Sequence, residues 1–378
     1  MKTRREFIWQ TAFVGAGAVI GGCASVGATK APALAGDFAV GALLHLGCNM
    51  WGDWTYDGHY PASAEEEAKM FPNPKLRKNG SYRTPVCDYL AADEKVWRGQ
   101  TEFMRAEGLN MVIIDIGEAY AYPSRPELWV NGAWDAAKMR KELARLRGLG
   151  LEPIPKLNFA AGHDIWLKQY HYMTSTRKYY KVVADLIRDV CEVFDGPRYF
   201  HLGFDEEVPI AVKGRALAVM RQGDLWWHDL RFCVNEVERN GARAIVWHDK
   251  ICGGKEEFLR NMPRSVVQMP WYYGKDFSET NLSWRPEFEK SKTWDIQKNL
   301  VAGMAVIVAA GYDVMPCTSN WSSDEATDAM LAYARKAVPA AQLKGVLTAP
   351  WRRTVPGQDR YTREAIRQLA VAKRKYFR

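Results

Sequence analysis

The sequence predicts a single (β/α)8 barrel, an α/β fold, with a long loop after its first strand. Three observations carry that prediction. Eight short, continuously apolar runs recur through the body, as expected of parallel strands covered on both faces. Helical patterns fill the gaps, and the joints repeat one grammar: a helix stops at a glycine and an apolar strand follows. A doubly wound open sheet, the alternative, usually carries a glycine-rich phosphate turn after its first strand, and "LLHLGCNMW" is not one.

The runs fall at about residues 38–47, 110–116, 152–158, 198–204, 243–248, 265–271, 312–318 and 344–349. The first leads into 49–90, a stretch rich in Gly, Pro, Trp and Tyr, which is expected to overhang the active face as a lid or wall. "RAEGLNMVIIDI" then turns from helix to strand at Gly108, and "RLRGLGLEPIPKL" does so at Gly148 and Gly150. "VERNGARAIVWHD" repeats the turn at Gly241 and "VAAGYDVMP" at Gly311. Glycine ends a helix at low cost because it accepts a left-handed backbone. The helices have the matching period. In "AAKMRKELARLRG", Met139, Leu143 and Leu146 share one face, while Arg140, Lys141 and Arg145 lie off it. No linker divides the body, so residues 36–378 are read as one domain.

The 378 residues are 47% hydrophobic, enough for a large core. Net charge is +8, of which the first 35 residues hold about +3. No Lys/Arg block reads as a nucleic-acid surface. The seven cysteines form no CxxC pair, which argues against a zinc ribbon or a thioredoxin-like site. Residues 1–35 read as a targeting segment. "TRREFIW" resembles a twin-arginine export signal, with Arg4, Arg5 and Phe7 in place, and a short, glycine-containing apolar run follows. "IGGC" resembles a lipobox, which would make Cys23 a lipidated N-terminus. Ala33-Leu34-Ala35 is a competing cleavage site. A periplasmic or membrane-anchored lipoprotein is the expectation, touching the membrane only through that anchor.

In a barrel, reactive groups gather just past the C-terminal strand ends. In order, those ends carry His45 and Asn49; Asp115 and Glu118; Asn158, His163 and Asp164; and His201, Asp205 and Glu206. His248 and Asp249 follow, then Trp271, Tyr272 and Tyr273, then Asn320 and Trp321, and finally Trp351. Acids interleaved with aromatics suit a sugar: carboxylates engage hydroxyls, and flat rings pack on the apolar face of a pyranose. The sharpest stretch is "RYFHLGFDEEVP", an apolar strand running into Asp205, Glu206 and Glu207. Adjacent acids raise the proton affinity of one of them, which a general acid needs. A solvated helix start is the plain alternative for the pair. Glu207 reads as a helix-start acid facing the dipole. His45 and His201 could equally be core histidines.

"FHLGFDEE" resembles the signature of family 20 glycoside hydrolases, the β-N-acetylhexosaminidases, in which His-x-Gly-Gly-Asp-Glu ends the fourth barrel strand. Here it reads His201-Leu202-Gly203-Phe204-Asp205-Glu206, with Phe204 at the second glycine. "AAGHDIW" is similar to the family's Pro-Gly-His, placing Gly162 and His163. "IVWHDK" is similar to its Trp-x-acid, placing Trp247 and Asp249. Two departures from the family are expected: residues 1–35, read as a leader, leave no room for its preceding α+β domain, and "GALLHLGCNMW" has no arginine to hold sugar hydroxyls. The resemblance implies a retaining, substrate-assisted glycosidase acting on an oligosaccharide or glycan, with no cofactor. Glu206 would be the general acid/base and Asp205 would orient the 2-acetamido group. The substrate-binding residues would be His163, His201, Trp247, Asp249, Asp115, Trp271, Tyr273, Asn320, Trp321 and Trp351.

Two other readings stay open. His163, Asp164, His201, Asp205, Glu206, His248 and Asp249 span three neighbouring strand ends and could bind a divalent metal, although no HxH or HExxH spacing supports it. A surface lipoprotein that binds glycans without cleaving them is the third reading.

Overall fold

The computed structural model describes residues 38–52, 62–70, 86–213, 215 and 217–377. Eight parallel strands build its centre: β1 (Ala39–His45), β2 (Met111–Asp115), β3 (Glu152–Lys156), β4 (Tyr199–His201), β5 (Arg243–Trp247), β6 (Val267–Met269), β7 (Cys317–Thr318) and β8 (Gly345–Thr348). They pair in the order β6-β5-β4-β3-β2-β1-β8-β7. Isolated parallel bridges, Gln268 to Val314 and Trp271 to Cys317, link the remaining edges. The result is a nearly closed (β/α)8 barrel, the expected fold class.

A long or medium helix follows each strand, beginning with Glu94–Ala106, Ala136–Gly148, Arg177–Val193 and Asp224–Arg239. Short polar side chains start three of them. Asp93 accepts from the Val96 amide at 2.8 Å, Asp135 from Lys138 at 2.7 Å and Thr176 from Tyr179 at 3.2 Å. Each satisfies a backbone donor that has no partner within the helix. At the other ends Gly108, Gly150, Gly241 and Gly311 have φ between 77° and 84°, the left-handed region their sequence positions called for, whereas Gly148, also expected at a turn, is the last residue of the helix Ala136–Gly148. Met139, Leu143 and Leu146 are all buried, as the helical period requires.

Strand register sets the site's floor. His45 lies opposite Asp115, Asp115 opposite Lys156, and Lys156 opposite His201. Four neighbouring strands therefore end in polar residues at one level of the barrel, and all four are buried. Lys156 Nζ donates to Asp115 Oδ2, and His45 Nδ1 lies 3.4 Å from the same oxygen. This pairing gives the buried lysine an opposite charge, without which it would stand isolated in the core.

The export and lipidation features of residues 1–35 lie outside the described residues. So do 53–61 and 71–85 of the segment after β1. Its described parts are a single turn, Asn49–Trp51, and a helix, Ala64–Met70. The base of this segment is fixed to the barrel. Glu118 Oε1 accepts from the amides of Cys48 at 2.7 Å and Asn49 at 3.0 Å. Among the described residues no helix is long and apolar enough to cross a membrane.

Candidate active site

The chain leaves β4 in an unusual backbone. Gly203, Phe204 and Glu206 have φ of 76°, 65° and 54°. Only glycine enters this region freely, so Phe204 and Glu206 hold strain of about 1 kcal/mol or more each. The strain turns two consecutive carboxylates toward one mouth, where a strand would send them to opposite faces. Phe204 is held there by its ring, buried 5.4 Å from Trp226 and beneath the Arg221 guanidinium at 4.9 Å. Gly203 has no substitute, because a Cβ there would lie 2.0 Å from Asn158 Oδ1.

Asp205 and Glu206 are adjacent but unlike. Asp205 is buried, and its Oδ1 accepts from Asn158 Nδ2 at 2.9 Å. A solvated helix start is thereby excluded for it. The Glu206 side chain is 27% exposed, with Oε2 3.5 Å from His163 Nε2 and Oε1 3.2 Å from Gln297 Nε2. Burial, then the neighbouring charges of Asp205 and Asp249, push its carboxyl up to about 8. His163 supplies no opposing cation, since burial lowers it to about 4. Glu206 thus keeps its proton at neutral pH with one edge open to solvent. Asp249 fixes the backbone beneath it, accepting from the Glu206 amide at 2.8 Å through Oδ2 and from Trp271 Nε1 at 3.1 Å through Oδ1. Burial and the charge of Asp205 raise Asp249 as well.

Aromatic rings continue this constellation. Trp271 lies 5.2 Å from Tyr273 between ring centroids, and the Tyr273 hydroxyl accepts from Trp351 Nε1 at 2.9 Å. Trp351 lies 5.8 Å from Trp247, which lies 4.6 Å from His201. One linked wall therefore runs from Asp249 to the polar floor. His201 Nδ1 accepts from the Gly203 amide at 3.0 Å, so the imidazole also shapes the turn that carries the acids.

Most of the expected residues converge, with some in other roles. Asp115 is engaged by Lys156 in the floor. Asn320 donates to the Tyr361 carbonyl at 3.0 Å, and Trp321 lies under the Arg352 guanidinium at 4.6 Å, so this pair ties the β7 end to the last helix and the β8 loop. Glu207 is not a helix-start acid. Its side chain is buried, accepts from the Ala161 amide at 2.9 Å and pairs with Arg221 at 3.1 Å, and the helix that follows, Pro209–Val212, is a single turn. Asp164 is buried too, and its carboxyl is raised to about 7 by desolvation. Sequence reasoning missed Gln297 and Arg221. Gln297 lies in a short 3-10 helix, Trp294–Asn299, and Arg221 in a loop, and no motif marks either. Of the seven candidate metal ligands, His163, Asp205 and Glu206 offer ligand atoms within 4.8 Å of one another.

No family model and no curated protein sequence matches this chain. Solved structures do share its fold. It is similar to a β-N-acetylhexosaminidase from Bacteroides fragilis NCTC 9343, with TM-score 0.53 and 14% identity over 74% of this chain and 62% of that one. It is similar to the GH20 β-N-acetylhexosaminidase from Streptomyces coelicolor A3(2), with TM-score 0.52 and 12% identity over 76% and 66%. Streptomyces plicatus N-acetyl-β-hexosaminidase gives TM-score 0.54 and 13% identity over 87% and 63%. The alignments span less than two thirds of these relatives. At such identities the likeness establishes the barrel fold.

Proposed function

We propose that the chain is a glycoside hydrolase of the hexosaminidase type, retaining and substrate-assisted. The observation that carries this reading is the unequal carboxyl pair. The Glu206 carboxyl, pushed up to about 8 by burial and its acidic neighbours, keeps an open edge, and Asp205 beside it is buried and oriented by Asn158. Glu206 gives its proton to the leaving glycosidic oxygen. The substrate's acetamido oxygen attacks the anomeric carbon while Asp205 orients the amide and balances its developing positive charge. Glu206, now ionised, takes a proton from water, which opens the cyclic intermediate. Substrate assistance of this kind departs from the usual scheme of two enzymic carboxylates. Trp271, Tyr273 and Trp351 supply the apolar wall for the sugar, the fully buried Trp247 backs that wall from the core, and His163 and Asp249 set the position of Glu206. The hexosaminidase folds reported above support the reading, as does the sequence pattern after β4.

The test uses aryl glycosides. A 2-acetamido substrate should turn over, and its plain 2-hydroxyl counterpart should turn over poorly because it lacks the internal nucleophile. Efficient cleavage of the 2-hydroxyl substrate would overturn the scheme and require an enzymic nucleophile, with Asp249 or Asp115 as candidates. Glycan binding without turnover, unchanged in Glu206→Gln, would favour the non-catalytic reading. The His163, Asp205 and Glu206 cluster favours a second reading, a divalent-metal enzyme acting on sugars. Turnover that survives chelation dismisses it. The chain is further read as exported through its twin-arginine leader and anchored by Cys23.

A further inference from the structure

Cys48 and Cys87 meet beside the mouth of the barrel. They lie about 40 positions apart in the chain, a span long enough for a cross-link to constrain the unfolded state strongly. Their segments are already clamped together. Asn49 Nδ2 donates to the Cys87 carbonyl at 2.9 Å, and the Cys87 amide donates to Asn49 Oδ1 at 2.7 Å. Both thiols are buried, in a small apolar cluster with Ala91. One guanidinium nitrogen of Arg353 lies 3.3 Å from Cys48 Sγ and 3.6 Å from Cys87 Sγ. We propose that Cys48 and Cys87 close into a disulfide when the chain folds in an oxidising compartment, stapling the segment after β1 to the barrel rim.

The chemistry divides between the two thiols. Hydrogen bonding from Cys87, aided by Arg353 and opposed by burial, lowers the Cys48 thiol, so Cys48 is the nucleophile. Its thiolate attacks an external disulfide, releasing one thiol and leaving a mixed disulfide. Cys87 then loses its proton, attacks the Cys48 sulfur and releases the second thiol. Two protein thiols are oxidised, and the external disulfide is reduced to two thiols. Both sulfurs are buried in the folded chain, so the external disulfide meets Cys48 while the two cysteines are coming together, when Cys87 and Arg353 are already beside it and burial is incomplete. The remaining body cysteines lack this chemistry: burial raises the Cys191 thiol to about 12 and pushes Cys233, Cys252 and Cys317 up as well. The staple would act on the site directly. Cys48 follows His45, whose ring lies 4.3 Å from Trp51 and 5.7 Å from Trp351, and Arg353 is two residues beyond Trp351.

The inference rests on the export reading only for where the oxidant is met, and its test reads no activity. The full chain is unfolded in reductant, refolded with a glutathione disulfide couple, alkylated under denaturing conditions and digested without reduction. The expected result is one peptide pair joined through Cys48 and Cys87, with the other body cysteines alkylated. Alkylation of both Cys48 and Cys87, or their pairing with other cysteines, would overturn the proposal. The oxidised chain should also unfold about 5 °C above the reduced one, from the loop-closure entropy of such a span in a domain of this size. The Cys48→Ser/Cys87→Ser chain should match the reduced protein. Equal unfolding temperatures for the oxidised and reduced chains would overturn the stapling role.

Discussion

Replacing Glu206 by Gln should stabilise the protein above neutrality, and the gain should grow with pH. Gln keeps the shape of the side chain and its neighbourhood to Gln297, but it cannot ionise. In the folded chain the carboxyl has moved from an ordinary value of 4.5 to about 8, first through burial and then through Asp205 and Asp249. A raised pKa means that the folded state binds this proton more tightly than the unfolded state does. The stability it contributes is fully present below pH 4.5 and is lost as pH rises through about 8. At about 1.4 kcal/mol per decade the shift corresponds to about 5 kcal/mol at most. Because 27% of the side chain is exposed, solvent screening reduces this to about 2–3 kcal/mol. For a domain of this size that is about 3–5 °C in unfolding temperature. Thermal unfolding of the two proteins at pH 5 and pH 9 measures it. The curves should nearly coincide at pH 5, where wild type carries a neutral Glu206, and separate at pH 9 with the variant higher. A separation that does not grow between these pH values would refute the assignment of a raised pKa to this carboxyl. The variant's turnover of an aryl 2-acetamido glycoside should fall by about 10²–10⁴-fold, the usual scale for losing a general acid. In wild type, kcat/KM should decline as pH rises through about 8, where the acid loses its proton.

Other perturbations test other parts of the architecture. Lys156→Met leaves the buried Asp115 carboxyl without its partner and should cost about 3–5 kcal/mol by denaturant unfolding; Lys156→Met with Asp115→Leu should recover much of that loss. Gly203→Ala drives a Cβ into Asn158 and should cost at least as much activity as Asn158→Ala, since both release Asp205. Asp205→Asn should keep its rate deficit on substrates with acidic leaving groups, because attack by the acetamido oxygen still lacks its support, whereas the deficit of Glu206→Gln should shrink there, because such groups depart with little protonation. Exchange of Arg4-Arg5 for Lys-Lys should retain the precursor inside the cell, and Cys23→Ala should move the protein from membrane to soluble fractions; unchanged fractionation would favour cleavage after Ala35.

The barrel was legible because its determinants are local and repeated. Gly108, Gly150, Gly241 and Gly311 mark the turns in the sequence and take the left-handed backbone in the structure. The candidate site was legible wherever a residue follows a strand end directly, as with Asp205, Glu206, Asp249 and Trp271. Contacts made across the mouth were not. Gln297 reaches Glu206 from a turn 91 positions away, and Arg221 enters from a loop with no periodicity. Asp115 shows the converse limit. Its place at a strand end was readable, but its pairing with Lys156 depends on register, which sets residues of β2 and β3 side by side.

Phe204 joins the two levels. By composition it is an ordinary core residue, and by position it stands where the resembling signature has glycine. The structure gives a physical reason for the difference: the position has φ of 65°, which glycine would adopt without strain. A phenylalanine persists only where its packing exceeds that strain, and the contacts with Trp226 and Arg221 provide it. Arg221 is in turn held by Glu207, the third acid of the run. The three consecutive carboxylates therefore divide into two that face the mouth and one that anchors the arginine behind it. An acid-rich strand end is stable here because its charges have separate environments: Asn158 orients Asp205, Arg221 neutralises Glu207, and Glu206 retains its proton.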